Sequence, residues 1–323
     1  MKLRDAVVVV TGASSGIGRA TALAFARRGA TLVVTARRAG PLEELSRECE
    51  LLGGRALAVP GDVRDPRVLT EVARAAVDSF GRIDVWVNNA GVSMLARLED
   101  TPLQLFREVL DTNLMGYVHG ARAALPVFRE QGRGVLVQVS SMVGKIGQAF
   151  TTAYAASKFA ILGLTESLRA ELLDVPGIHV CAVLPSSTDT PLFQHAANLT
   201  GRGLKPIPPV SSADRVAEAI VRCARRPRRE VVLRGRAGLA LRAVAPGPFE
   251  RAFARKVDRD HFQDRSAPPT SGNVLAPVPF GTRTDGGWLS PARRPSLPRA
   301  ALGAVLGAVL AWTVARSARL LGA

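Results

Sequence analysis

Tyrosine is scarce in this chain, with Tyr117 and Tyr154 its only two examples. Tyr154 stands in Ala153-Tyr154-Ala155-Ala156-Ser157-Lys158, at the predicted start of a helix, where residues i and i+4 share a face. An ammonium beside a phenol favours the phenolate and draws its pKa down from ~10 toward working pH. Such a phenol can protonate a carbonyl oxygen or deprotonate an alcohol. A Tyr/Lys pair at this spacing is ordinarily surface decoration when it occurs alone, so its companions decide.

The second chemical feature is the turn Thr11-Gly12-Ala13-Ser14-Ser15-Gly16-Ile17-Gly18, which follows an apolar run at 7–10 and opens a helical stretch at 19–28. Glycine lets the backbone approach a bound group closely, and a helix N-terminus offers unpaired N–H groups to an anion. A pyrophosphate fits. A tight turn without a ligand is the competing reading, and the strand before and helix after favour the nucleotide. At the end of the second predicted strand, Val33-Val34-Thr35-Ala36-Arg37-Arg38 has no acid for the ribose 2′-hydroxyl of NAD. Arg37 and Arg38 suit a phosphate instead, so NADP is preferred over NAD; the plainer alternative is a solvated arginine loop.

The elements that must position these groups alternate regularly. β-branched runs at 7–10, 31–35, 56–59, 83–87, 134–139, 179–183 and 230–233 predict strands, and amphipathic stretches at 19–28, 41–52, 66–80, 103–129, 153–173 and 213–225 predict helices. This predicts an α/β fold with a doubly wound parallel sheet, a Rossmann arrangement, over residues 1–235. Beyond 236 the pattern fails. Residues 236–299 form an Arg- and Pro-rich extension, in which 260–299 carries seven prolines and reads as a linker or a segment laid on the surface.

Residues 300–315 carry no charge, which is just short of the ~17–25 apolar residues of a membrane span. Two readings of 300–323 stay open: a Leu/Ala helix packed on protein, or a terminal apolar helix associated with a membrane. The first leaves the protein cytoplasmic, and the second attaches it to a membrane from that side. Residues 1–10 show no secretory signal.

The 323 residues, 47% of them hydrophobic, exclude wholesale disorder. The formal charge of +16 is arginine-driven, since only five of the 43 basic residues are lysine. Residues 222–259 hold twelve bases against three acids, a solvated surface or a match for anionic lipid headgroups. No nucleic-acid motif accompanies them, and aromatics to stack bases are few. The three cysteines, Cys49, Cys181 and Cys223, are widely spaced without a CxxC pair, so neither a disulfide scaffold nor a metal site is indicated.

Taken together, residues 5–235 resemble the short-chain dehydrogenase/reductase family. Gly12, Gly16 and Gly18 match its TGxxxGxG turn, Asn88-Asn89-Ala90-Gly91 its NNAG signature, and Tyr154 with Lys158 its YxxxK motif. Ser141, thirteen residues before Tyr154 and next to Ser140, matches the catalytic serine, and Asn113 the structural and catalytic asparagine. The resemblance implies a catalytic set of Asn113, Ser141, Tyr154 and Lys158. It implies a coenzyme site of Gly12, Ser14, Ser15, Gly16, Ile17, Gly18, Arg37, Arg38, Asp62, Val63, Asn89, Ala90, Gly91, Tyr154, Lys158, Pro185, Thr188 and Thr190, with Asp62 and Val63 at the adenine. Lys158 would hold the nicotinamide ribose and depress the Tyr154 pKa, while Asn113 would hold a relay water. One departure is Pro185-Ser186 where the family reads Pro-Gly, and Ser tolerates a positive φ poorly.

The implied activity is that of an NADP-dependent oxidoreductase transferring hydride between nicotinamide and a carbonyl or alcohol. Met94, Leu95, Phe150 and Phe193 would line an apolar pocket, so the expected substrate is an apolar or lipid-like small molecule. His195 is either a substrate contact or a solvated loop residue. Self-association into a homo-oligomer through 103–129 and 153–173 is implied by resemblance. The competing function is a non-catalytic nucleotide-sensing or lipid-binding module on the same fold.

Overall fold

The computed structural model describes residues 1–289 of the 323. Seven parallel strands form its central sheet: β1 (Val7–Thr11), β2 (Thr31–Thr35), β3 (Arg55–Ala58), β4 (Val85–Asn88), β5 (Gly134–Val139), β6 (Ile178–Pro185) and β7 (Glu230–Leu233). Their order across the sheet is β7-β6-β5-β4-β1-β2-β3. β1 is VVVVT with every residue buried, as expected of a strand covered on both faces. Val8 and Val10 join one core cluster and Val7 and Val9 another, so the two helical layers share this strand through alternate side chains.

The flanking helices are α1 (Gly16–Ala26), α2 (Ala39–Leu51), α3 (Pro66–Phe80), α4 (Leu103–Leu110), α5 (Gly116–Gln131), α6 (Thr152–Glu171) and α7 (Ala213–Arg225). Local chemistry sets their ends. The Asp65 side chain accepts from the Arg67 amide at α3, Pro66 takes the first turn, and Gly81 ends the helix with φ 75°. The single helix predicted over 103–129 contains a π-helical turn at Asp111–Met115, between α4 and α5. Such widened turns cluster at functional sites, and this one carries Asn113.

The extension differs from its sequence reading. Residues 236–260 form two helices, α8 (Arg236–Val244) and α9 (Pro246–Asp260), where no period was legible. Leu239, Phe249 and Phe253 pack them against the cluster of Met142, Ile146 and Leu184. Phe262–Ser266 then pairs antiparallel with Arg202–Leu204. Residues 270–288 run back across the carboxyl ends of the strands, with Val274 fully buried. The proposed apolar helix at 300–315 lies outside the described residues. Among the described residues no helix is long and apolar enough to cross a membrane.

Candidate active site

The carboxyl ends of β1, β2, β4, β5 and β6 open on one cleft of about 180 Å³. Its lining includes Gly12, Ser14, Ser15, Gly16, Ile17, Arg37, Arg38, Asp62, Val63, Asn89, Ala90, Gly91, Tyr154, Lys158 and Thr190. Gly18 stands behind the turn. A Cβ on Gly18 would lie 2.3 Å from the Gly12 carbonyl oxygen, and one on Gly12 would lie 2.6 Å from the Ala90 Cα. These glycines are therefore required by close packing of backbone on backbone. Asn89 fastens the same turn: its Nδ2 donates to the Thr11 carbonyl at 2.9 Å, and the Thr11 hydroxyl accepts from the Asn89 and Ala90 amides at 3.0 Å.

Pro185 and Thr188 line a smaller pocket of about 110 Å³ that shares Ile17, Ser140, Tyr154, Thr190 and Leu192 with the cleft. Ser186 does not adopt a positive φ, so serine is accommodated there without left-handed strain. Of the four expected apolar liners, Phe193 faces this pocket. Met94 and Leu95 do not: the short pairing with Ala197–Asn198 turns them into clusters around Val274 and Phe262, and Phe150 packs edge-on against Phe262. Val143, Leu192, Ile207 and His261 supply the wall instead.

Tyr154 and Lys158 stand one turn apart on α6, and Ser141 reaches Tyr154 from the end of β5. The Ser141 hydroxyl stands near enough to the Tyr154 phenol to favour the phenolate, but burial outweighs it and pushes the phenol up to about 12. Lys158 is 4% exposed, and burial brings its ammonium down to about 7. The expected depression of Tyr154 by Lys158 is therefore not present in the protein alone. A buried lysine that is itself half neutral near pH 7 has little charge to lend. Its Nζ donates to the Val139 carbonyl at 3.1 Å, and the Tyr117 hydroxyl donates to the same oxygen at 2.7 Å.

Tyr117 is a member of the constellation that spacing did not single out; its only sequence signal is the rarity of tyrosine. Fully buried, its phenol is pushed well above the ordinary range. Asn113 is also fully buried. Its Oδ1 accepts from the Val92 amide at 2.8 Å, and its Nδ2 donates to the Val92 carbonyl and the Ser157 hydroxyl, both at 3.0 Å. The amide side chain thus ties the strand end to α6 through the π turn.

At the opposite end of the cleft, Asp62 pairs with Arg64 at 2.6 Å, and Arg64 also bridges to Glu108. The Arg64 hydrogen bonds hold the Asp62 carboxyl below the usual range against the effect of burial, which raises it. Arg38 is engaged by the extension: its Nη1 donates to the Phe280 carbonyl at 2.7 Å and the Val278 carbonyl at 3.2 Å. Arg37 Nη2 donates to the Asn273 carbonyl at 2.6 Å, and Arg37 Nη1 is buried without a hydrogen-bond partner among the described residues. His195 is neither solvated nor in the smaller pocket; it is buried in the cleft wall, with its Nε2 3.1 Å from the Phe280 carbonyl.

The glycine cradle, the orphaned guanidinium nitrogen and the buried phenol fit a dinucleotide, and comparisons agree. The family model for short chain dehydrogenases matches residues 6–199. An uncharacterized oxidoreductase of Bacillus subtilis, YxnA, is 32% identical over 98% of this chain and 92% of its own. Dehydrogenase/reductase SDR family member 7B of mouse is 35% identical, over 80% of this chain and 83% of its own. A crystal structure of an alcohol dehydrogenase from the archaeon Thermococcus sibiricus, complexed with 5-hydroxy-NADP, superposes with a TM-score of 0.62 at 29% identity, covering 72% of this chain and 97% of that one. The chain belongs to the short-chain dehydrogenase/reductase family. It is an oxidoreductase of CH–OH and C=O groups that works with a nicotinamide cofactor.

Proposed function

We propose that the protein uses NADP(H), in preference to NAD(H), to interconvert an apolar or lipid-like carbonyl compound and its alcohol, with Tyr154 exchanging the proton. The observation that carries this reading is that Ser140, Tyr154 and Thr190 stand where the larger cleft meets the smaller pocket, with buried Lys158 on the cleft side and Ser141 on the pocket side. When bound, the coenzyme supplies or accepts the hydride. Gly12, Ser15 and Ile17 would hold its pyrophosphate, Arg37 its 2′-phosphate, and Lys158 its nicotinamide ribose.

The chain's own residues do the rest. Ser141 offers a donor to the reacting oxygen, a preorganised dipole aimed at developing charge. Tyr154 gives its phenolic proton to that oxygen, or takes it back in the reverse direction. Lys158, anchored on Val139, sits 5.6 Å from the centre of the Tyr154 ring, close enough to favour the phenolate whenever its ammonium is charged. Val143, Leu192, Phe193 and Ile207 keep the pocket apolar, which supports the substrate class. The test is a titration of purified protein with NADPH and NADH, followed by turnover with a panel of aliphatic and cyclic ketones and their alcohols. Binding without turnover across the panel supports the sensing module instead.

Self-association along α4 to α6 belongs to the same proposal. Those helices leave Leu103, Met115 and Phe159 exposed, and light scattering on the purified protein tests it. Membrane attachment through 300–315 is tested by fractionating full-length protein beside a chain ending at Arg299; equal solubility rejects it.

A further inference from the structure

The extension contributes a wall to the coenzyme cleft that the glycine turn and the strand ends do not supply. Asn273, Pro277 and Val278 line the same cleft as Arg37 and Asp62, with Asn273 against Arg37. Residues 270–288 are fastened at many points. The Asn273 amide donates to the His195 carbonyl at 2.8 Å, and the Gly16 amide donates to the Arg283 carbonyl at 2.9 Å. The Gly286 and Trp288 amides donate to Asp189 Oδ1 at 2.8 and 3.0 Å. Arg38 donates to three carbonyls of the segment.

Against that background of satisfied groups, three buried atoms of the cleft lining lack a hydrogen-bond partner among the described residues: Thr112 Oγ1 on the π turn, and the pair of Arg37 Nη1, a donor, and Asn273 Oδ1, an acceptor. Buried polar atoms left unpaired are costly and mark a missing ligand or water. A group that accepts at one point and donates at a neighbouring one answers the pair. Tyr154 fixes the reacting end of a dinucleotide, so its far end, the adenosine, comes to Arg37 and Asn273. A 2′-phosphate accepts from Arg37, and a sugar hydroxyl or the adenine amino group donates to Asn273.

Building on the nicotinamide reading above, we propose that residues 270–288 are a clasp that completes the adenosine half of the coenzyme site. Asn273 is a coenzyme-binding residue, and Arg38 is the anchor of the clasp. Gly272 shows how closely the segment is seated. Its φ is 52°, and a Cβ there would lie 2.2 Å from the His195 carbonyl oxygen, so a larger residue must lift the clasp.

Full-length wild type, Asn273→Ala and Gly272→Val are titrated with NADPH and with NADH by nicotinamide fluorescence, and release is followed by stopped flow. Asn273→Ala raises Kd for both coenzymes about 5- to 10-fold, the scale of one net hydrogen bond. The loss falls mainly on faster release, and Gly272→Val moves both coenzymes the same way. Unchanged affinity in Asn273→Ala, a folded variant by its melting curve, overturns the clasp. So does tighter binding in Gly272→Val, which would mean that the segment excludes the coenzyme. A wild type that binds neither coenzyme overturns the nicotinamide reading and the clasp together, whereas wild-type binding with indifferent variants overturns the clasp alone.

Discussion

Lys158 Nζ lies 5.6 Å from the centroid of the Tyr154 ring, yet it donates to the Val139 carbonyl and the Tyr117 hydroxyl. Strand β5 therefore fixes where the amine stands, and Tyr117 shares the same carbonyl. The phenol is left to Ser141 and to whatever enters the cleft, so its acidity depends on the loaded site.

Removing the phenolic oxygen isolates that role. Tyr154→Phe keeps the ring and its packing, so NADPH affinity stays near wild type while turnover falls at least ~10²-fold, the scale of an acid/base group. Steady-state kinetics on any accepted carbonyl check this, and near-wild-type turnover would remove Tyr154 from the chemistry.

Burial of Lys158 has a sign that can be measured. Its pKa falls from 10.5 to about 7 on folding, so between these values the unfolded chain holds the extra proton. The coenzyme-free protein accordingly gains stability as pH rises from 7 toward 10, and its penalty is full below pH 7. Lys158→Met removes the group, so the melting-temperature profile of the variant lacks this rise. Parallel profiles for the two proteins across that window would contradict the burial effect.

Asn113→Ala leaves the Val92 amide and carbonyl buried and unpaired. At ~1–3 kcal/mol for each of the two groups and ~2–4 °C per kcal/mol for a domain of this size, the melting temperature drops by roughly 4–24 °C. Thermal unfolding followed by circular dichroism measures it. A smaller drop would mean that the π turn holds its shape without the amide.

Arg37 carries the coenzyme preference. With its Nη1 unpaired among the described residues, Arg37→Ala weakens NADPH at least ~10-fold, since a charged hydrogen bond is worth ~1.5–3 kcal/mol, and weakens NADH by less, through the released Asn273. Equal losses for both coenzymes would assign the arginine to the wall of the cleft and not to the phosphate.

What could be read from the sequence was whatever local spacing encodes. The turn from Thr11 to Gly18 and the step from Tyr154 to Lys158 each lie within a few residues, and the alternation of strands and helices to residue 235 follows from periods of two and 3.6. Three things were hidden because they are tertiary. Met94 and Leu95 look like pocket liners until the pairing with Ala197–Asn198 buries them elsewhere. The Tyr154 phenol is raised and the Lys158 ammonium lowered because burial, which spacing does not encode, acts on both. Arg38 reads as a phosphate ligand, but three of its acceptors lie more than 230 residues downstream, in a proline-rich stretch without any period.

Arg37 and the carbonyl it holds on Asn273 are 236 residues apart. During synthesis the glycine turn, the sheet and the tyrosine helix all leave the ribosome before the segment that closes over them. The nascent enzyme thus displays an open groove until its closing stages, and the outer wall of that groove is a product of late translation.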